Sequence, residues 1–79
     1  MELKIKLLSE LGLIQDYYTD DDKIETVKRF EKCGYLTENQ DNEGNDWYWY
    51  LDNDCLEGCI NKEGEIVTDI KEINKMFNI

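Results

Sequence analysis

The chain is predicted to be an α+β protein: two N-terminal helices, antiparallel β-hairpins forming a sheet, and a short C-terminal helix. Three observations predict this. Apolar residues recur at helical spacing near the start and again at the end. The run Trp47-Tyr48-Trp49-Tyr50-Leu51 is dense in strand-forming aromatics. Polar, glycine-containing stretches separate the apolar runs of the second half, where hairpin turns belong.

Leu3, Leu7, Leu8, Leu11 and Ile14 share one helical face, although Glu2-Leu3-Lys4-Ile5-Lys6-Leu7 also alternates as a strand would. Leu, Lys and Glu favour a helix, and Gly12 supplies its stop, so the helix is preferred. Thr19-Asp20-Asp21-Asp22 opens the second helix. Thr19 can cap orphan N–H groups, and the three carboxylates suit the positive end of the helix dipole. Ile24, Val27 and Phe30 form its stripe and Gly34 ends it. Adjacent carboxylates at a helix start diverge, so this triplet is read as capping chemistry and not as a metal site.

Tyr35-Leu36-Thr37 starts the first strand, Asn42-Glu43-Gly44-Asn45 is turn chemistry, and the aromatic run follows. Period two places Trp47, Trp49 and Leu51 on one face and Tyr48 and Tyr50 on the other. One face is expected to pack on the helices, leaving the two tyrosines as sheet cover or contact surface. A second hairpin is read at Gly58 to Thr68, with its turn at Lys62-Glu63-Gly64. Asp69 with Glu72 forms a capping-box pattern, and Ile70, Ile73 and Phe77 the buried stripe of the last helix. The expected order is α, α, β, β, β, β, α.

Residues 1–79 have room for one domain, which at this size buries roughly 60–65% of its unfolded surface. Such a core is thin and leaves little space for a deep substrate cavity. At 41% apolar residues, with two Trp and five Tyr, the chain is nonetheless too apolar for a disordered acidic tail. Cys33, Cys55 and Cys59 form no CxxC pair and histidine is absent, which argues against a zinc site and for reduced thiols in a cytoplasmic setting, including that of a host cell. Neither a signal-peptide pattern nor a long apolar span is present, so a soluble protein is expected.

Candidate chemistry is sparse. Asn39-Gln40-Asp41-Asn42-Glu43-Gly44 matches the opening of an EF-hand loop, but Tyr50 stands where its bidentate Glu belongs, and a hairpin turn is the better reading. There is no histidine base, phosphate-binding glycine loop, GxSxG elbow or HExxH pair. No catalytic residue, cofactor or metal is assigned, and an enzyme is not expected.

Charge is the strongest functional signal. The net charge is −10 at pH 7. The segment from Cys33 to Asn61 holds Glu38, Asp41, Glu43, Asp46, Asp52, Asp54 and Glu57 with no Lys or Arg. Direct nucleic-acid binding is disfavoured, because affinity there comes from cations neutralising phosphates. A basic protein partner is favoured instead, since complementary fields speed encounter. A solvated acidic face would explain the charge as well. Against that stand like-charge repulsion on a thin core and the interleaved Tyr48 and Tyr50, a residue type enriched at interfaces. These seven acids and two tyrosines are therefore the candidate partner-binding residues.

Phe30-Glu31-Lys32-Cys33-Gly34-Tyr35-Leu36, followed by a polar turn and an aromatic strand, resembles the recognition-helix end and wing of a winged-helix domain. The base-free segment departs from that family where a wing meets phosphate. Gly58-Cys59-Ile60-Asn61-Lys62-Glu63-Gly64-Glu65-Ile66-Val67 resembles one hairpin of a WG-type β-repeat, present once. In size and charge the whole chain resembles the anti-CRISPR and anti-restriction inhibitors of phages and mobile elements. That resemblance implies an inhibitor that blocks a basic nucleic-acid-binding surface, or a nuclease complex, by presenting carboxylates in place of phosphates. The alternative is a non-mimic module, such as a toxin-neutralising or regulatory subunit, that binds through the aromatic sheet face.

Overall fold

The computed structural model describes Met1–Ile79. Helices α1 (Glu2–Glu10) and α2 (Asp20–Lys32) precede strands β1 (Leu36–Gln40), β2 (Asp46–Asp52), β3 (Cys55–Asn61) and β4 (Ile66–Val67), and α3 (Ile70–Phe77) closes the chain. The order matches the sequence expectation. The strands form one antiparallel meander, β1-β2-β3-β4. No helix is long and apolar enough to cross a membrane.

The ambiguous N-terminus is helical, and Leu7 and Leu8 are its fully buried residues. Alternation over six residues lost to the longer helical stripe because that stripe meets an apolar sheet. At the start of α2 the capping box is complete: Thr19 Oγ1 accepts from the Asp22 N–H, and the Asp22 carboxylate accepts from the Thr19 N–H. Gly34 ends α2 at φ +81°, a left-handed conformation in which the Tyr35 N–H reaches back to the Phe30 carbonyl at 2.8 Å. Its buried pair is Thr26 and Val27, whereas Ile24 is half-buried. Thr26 lies in the interior because its hydroxyl donates to the Asp22 carbonyl at 2.8 Å.

Asn53 and Asp54 form the tight turn between β2 and β3, with φ of 50° and 65°. Positive φ at both central residues is the requirement of a type I′ hairpin, whose twist suits the flanking strands.

Both faces of the sheet are covered. Tyr50 and Ile60 join Leu7, Leu8, Ile14, Val27 and Leu36 in a core under α1 and α2, and Tyr48 packs against its edge. On the opposite face Trp47 and Cys59 meet Ile73 of α3, with Trp49, Val67, Met76 and Phe77 around them. The ring of Phe77 stands edge-on to Trp49 at 4.7 Å and 80°. This corrects the expectation of an open tyrosine face: Tyr50 is 8% exposed and belongs to the core. The physical reason is that a strand apolar at every position has to be covered on both sides. Two helices cover one side and α3 the other.

In α3 the Asp69 carboxylate caps the Lys71 N–H at 3.0 Å, but Glu72 makes no return bond, so the capping box is only half formed. The stripe that meets the sheet is buried Ile73 with half-buried Met76 and Phe77. Ile70, expected inside, is 50% exposed.

Candidate interaction surface

The acidic segment does not fold into one face. The β1–β2 turn lies at one end of β2 and the Asn53-Asp54 turn at the other, about 20 Å apart at the usual strand rise over seven residues. Glu38, Asp41, Glu43 and Asp46 therefore group at one end and Asp52, Asp54 and Glu57 at the other.

At the first end most of the polar groups are engaged internally. Asp41 Oδ1 accepts from the N–H groups of Glu43 and Asn45, each at 2.9 Å, and Oδ2 accepts from Trp47 Nε1 at 2.8 Å and from the Asn45 amide at 3.3 Å. Partial desolvation opposes ionisation of Asp41, yet the hydrogen bonds from Trp47, Asn45 and Glu43 outweigh it and hold its carboxyl below the usual range. The EF-hand-like stretch is thus a hairpin turn organised around its own carboxylate. Asp46 accepts from Lys62 Nζ at 2.8 Å and from the Gln40 amide at 3.1 Å; the Lys62 bond leads in lowering its pKa.

The turn tip does not project freely from the helices. Asn42 donates its backbone N–H to the Met76 carbonyl and its side-chain amide to the Lys75 carbonyl, both at 2.8 Å. Two orphan carbonyls at the end of α3 are satisfied in this way, which pins the turn against the helix. Lys62 brings a cation to this end that the linear count places outside the acidic segment. Glu38 and Glu43 are exposed. Tyr48 is half-buried, and Lys4 Nζ lies 4.9 Å from its ring centroid while pairing with Glu31 at 2.6 Å.

The other end differs. Asp52, Asp54 and Glu57 are exposed and make neither a hydrogen bond nor an ion pair to any side chain. Burial raises the Tyr50 pKa, and the charges of Asp52 and Glu57 add to that shift. Asp54 and Glu57 border a groove of about 500 Å³ between the β2–β3 hairpin and α3. Trp49, Leu51, Leu56, Ile70 and Ile79 supply its apolar lining, and Cys55 and Asn74 complete it. The other three surface depressions are lined mostly by polar or charged residues.

Sequence reasoning identified the acids of this groove but not its apolar part. No local signal marked that part: Ile70 and Ile79 are nine residues apart, too far to share a single helical turn, and only the position of α3 over the hairpin unites them. Comparison of the chain with family models, with curated proteins and with solved structures finds no match.

Proposed function

We propose that the protein is an acidic binding module that inhibits a partner by covering a basic, nucleic-acid-binding surface. The observation that carries this reading is the imbalance of its charge: 19 carboxylates face nine cations, and only two ion pairs form within the fold. The remaining field points outward, where it attracts cationic surfaces and repels nucleic acid. Within that field Asp52, Asp54 and Glu57 are the carboxylates best placed to stand in for phosphates, because no internal partner holds them. Asp41 and Asp46 instead serve the fold. The alternative through Tyr48 and Tyr50 loses its surface, since Tyr50 is enclosed by α1 and α2.

The test is capture of the partner from a native lysate at low salt, followed by elution with heparin. Release by heparin and by moderate salt, together with loss of capture by the D52N/D54N/E57Q variant, is the expected result. Capture that resists both polyanion and salt, and survives the triple substitution, overturns the phosphate-mimic reading.

A further inference from the structure

Resting on that reading, we infer that the groove between the β2–β3 hairpin and α3 is an anchor site for a partner segment that presents a large apolar side chain between lysines or arginines. The groove is built for an apolar guest. Ile70 and Ile79 are 50% and 70% exposed at its mouth, in a molecule that buries only 13 residues. A volume of about 500 Å³ falls within the range of specific binding clefts, and its lining is mainly apolar. Trp49, one of its walls, carries a buried indole N–H with no hydrogen-bond partner, whereas the Trp47 indole is satisfied by Asp41.

Charge decides which guest. Asp54 and Glu57 line the groove with Asp52 beside them, so cations flanking the apolar residue gain what anions lose. The same rim disfavours a second copy of this chain, because association would bring two bodies of charge −10 together at their acidic ends. An apolar anchor in a desolvated pocket surrounded by a polar rim is the usual layout of an energetic hot spot.

Cys55 makes the inference testable. It is an exposed thiol in the groove wall, and Cys33 is an exposed thiol at the end of α2, on the opposite face of the sheet. The probe is a synthetic oligolysine interrupted by two central leucines, compared with an oligolysine of equal charge. Alkylation of each thiol by N-ethylmaleimide is followed by mass spectrometry at low salt. The leucine peptide is expected to slow Cys55 severalfold, leave Cys33 unchanged and shift the Trp49 indole N–H resonance. In the I70S/I79S variant, whose substituted side chains are half or more exposed, that protection should vanish while charge-driven binding persists.

Equal protection of Cys55 by both peptides, or protection that survives I70S/I79S, overturns the anchor and leaves the acidic reading standing. Failure of both peptides to bind at all overturns both. Protection of Cys55 without peptide, in a dimer seen by sedimentation, assigns the groove to a second copy and overturns the anchor as well.

Discussion

Asp41 and Asn61 hold the same place in the first and third hairpins of the sheet, each accepting the backbone N–H groups of the residues two and four positions further along. Asp41-Asn42-Glu43-Gly44-Asn45 and Asn61-Lys62-Glu63-Gly64-Glu65 are the two turns, with Gly44 and Gly64 at φ +82° and +87°. The backbone bonds match as well: the fourth residue donates back to the first at 3.1 Å in both turns, and the first donates to the fifth at 2.9 and 3.1 Å. Meander topology puts both turns at one end of the sheet, where Asp46 and Lys62 join them.

The second side-chain atom makes the two residues non-interchangeable. Asp41 Oδ2 accepts from two donors, whereas Asn61 Nδ2 donates to Glu65 Oε1 at 3.0 Å. D41N would aim an NH₂ group at the Trp47 indole N–H, and N61D would set one carboxylate against another. Each substitution should lower the urea midpoint, N61D by about 1–3 kcal/mol of stability. Tolerance of either would show that the backbone-directed oxygen alone sustains its turn.

Asp41 also sets an acid limit. Its folded pKa lies below the ordinary 3.8, so its contribution is complete above that value and is lost as pH falls through the folded one. Protonation makes Asp41 a donor, much as D41N does. The gap in melting temperature between wild type and D41N should therefore be widest near neutrality and close below about pH 4. A gap that stays constant into acid would assign the loss to shape and not to charge.

Cys59 should be silent toward alkylation in the folded protein. Burial pushes its thiol from 9.0 up to about 11, and Sγ lies 3.8 Å from the Val67 carbonyl oxygen. Native labelling should modify Cys33 and Cys55 only, with the third adduct appearing in denaturant. By the same linkage, a raised thiol stabilises the fold below 9.0 and withdraws that support as pH climbs through about 11. Labelling of Cys59 at the rate of Cys55 would mean that α3 opens readily from the sheet.

D54G should stabilise the protein. Asp54 holds φ 65° in the second central position of the type I′ turn, where glycine is preferred, and the gain is about 1 kcal/mol by denaturant titration. The same substitution removes a rim carboxylate from the groove and should weaken the leucine-lysine peptide. A stabilised variant that binds as well as wild type would show that Asp54 contributes to neither rim nor partner.

Much of the fold was legible because its signals are local. Thr19 with Asp22, Gly34, the polar turn around Gly44 and the capping Asp69 act within a few residues of themselves, so each could be read from its neighbours. The candidate surface was legible only in part. Asp52, Asp54 and Glu57 were identified by type, but so were Asp41 and Asp46, which the fold consumes. A carboxylate looks the same in sequence whether its oxygens meet water or the N–H groups of its own turn.

What the sequence by itself determined was the element order, the α+β class, the helix caps and the sign of the field, all of which follow from short-range stereochemistry or from summed charge. What only the tertiary structure decided was which face of β2 meets which helices. An aromatic strand offers two apolar faces, and in the folded chain α3 covers the tryptophans while α1 and α2 cover Tyr50. That placement pins Asn42 to the end of α3, brings Lys62 to Asp46 and sets Ile70 and Ile79 beside Trp49. Contacts between residues far apart in the chain depend on how whole elements pack, and no spacing along the sequence records that.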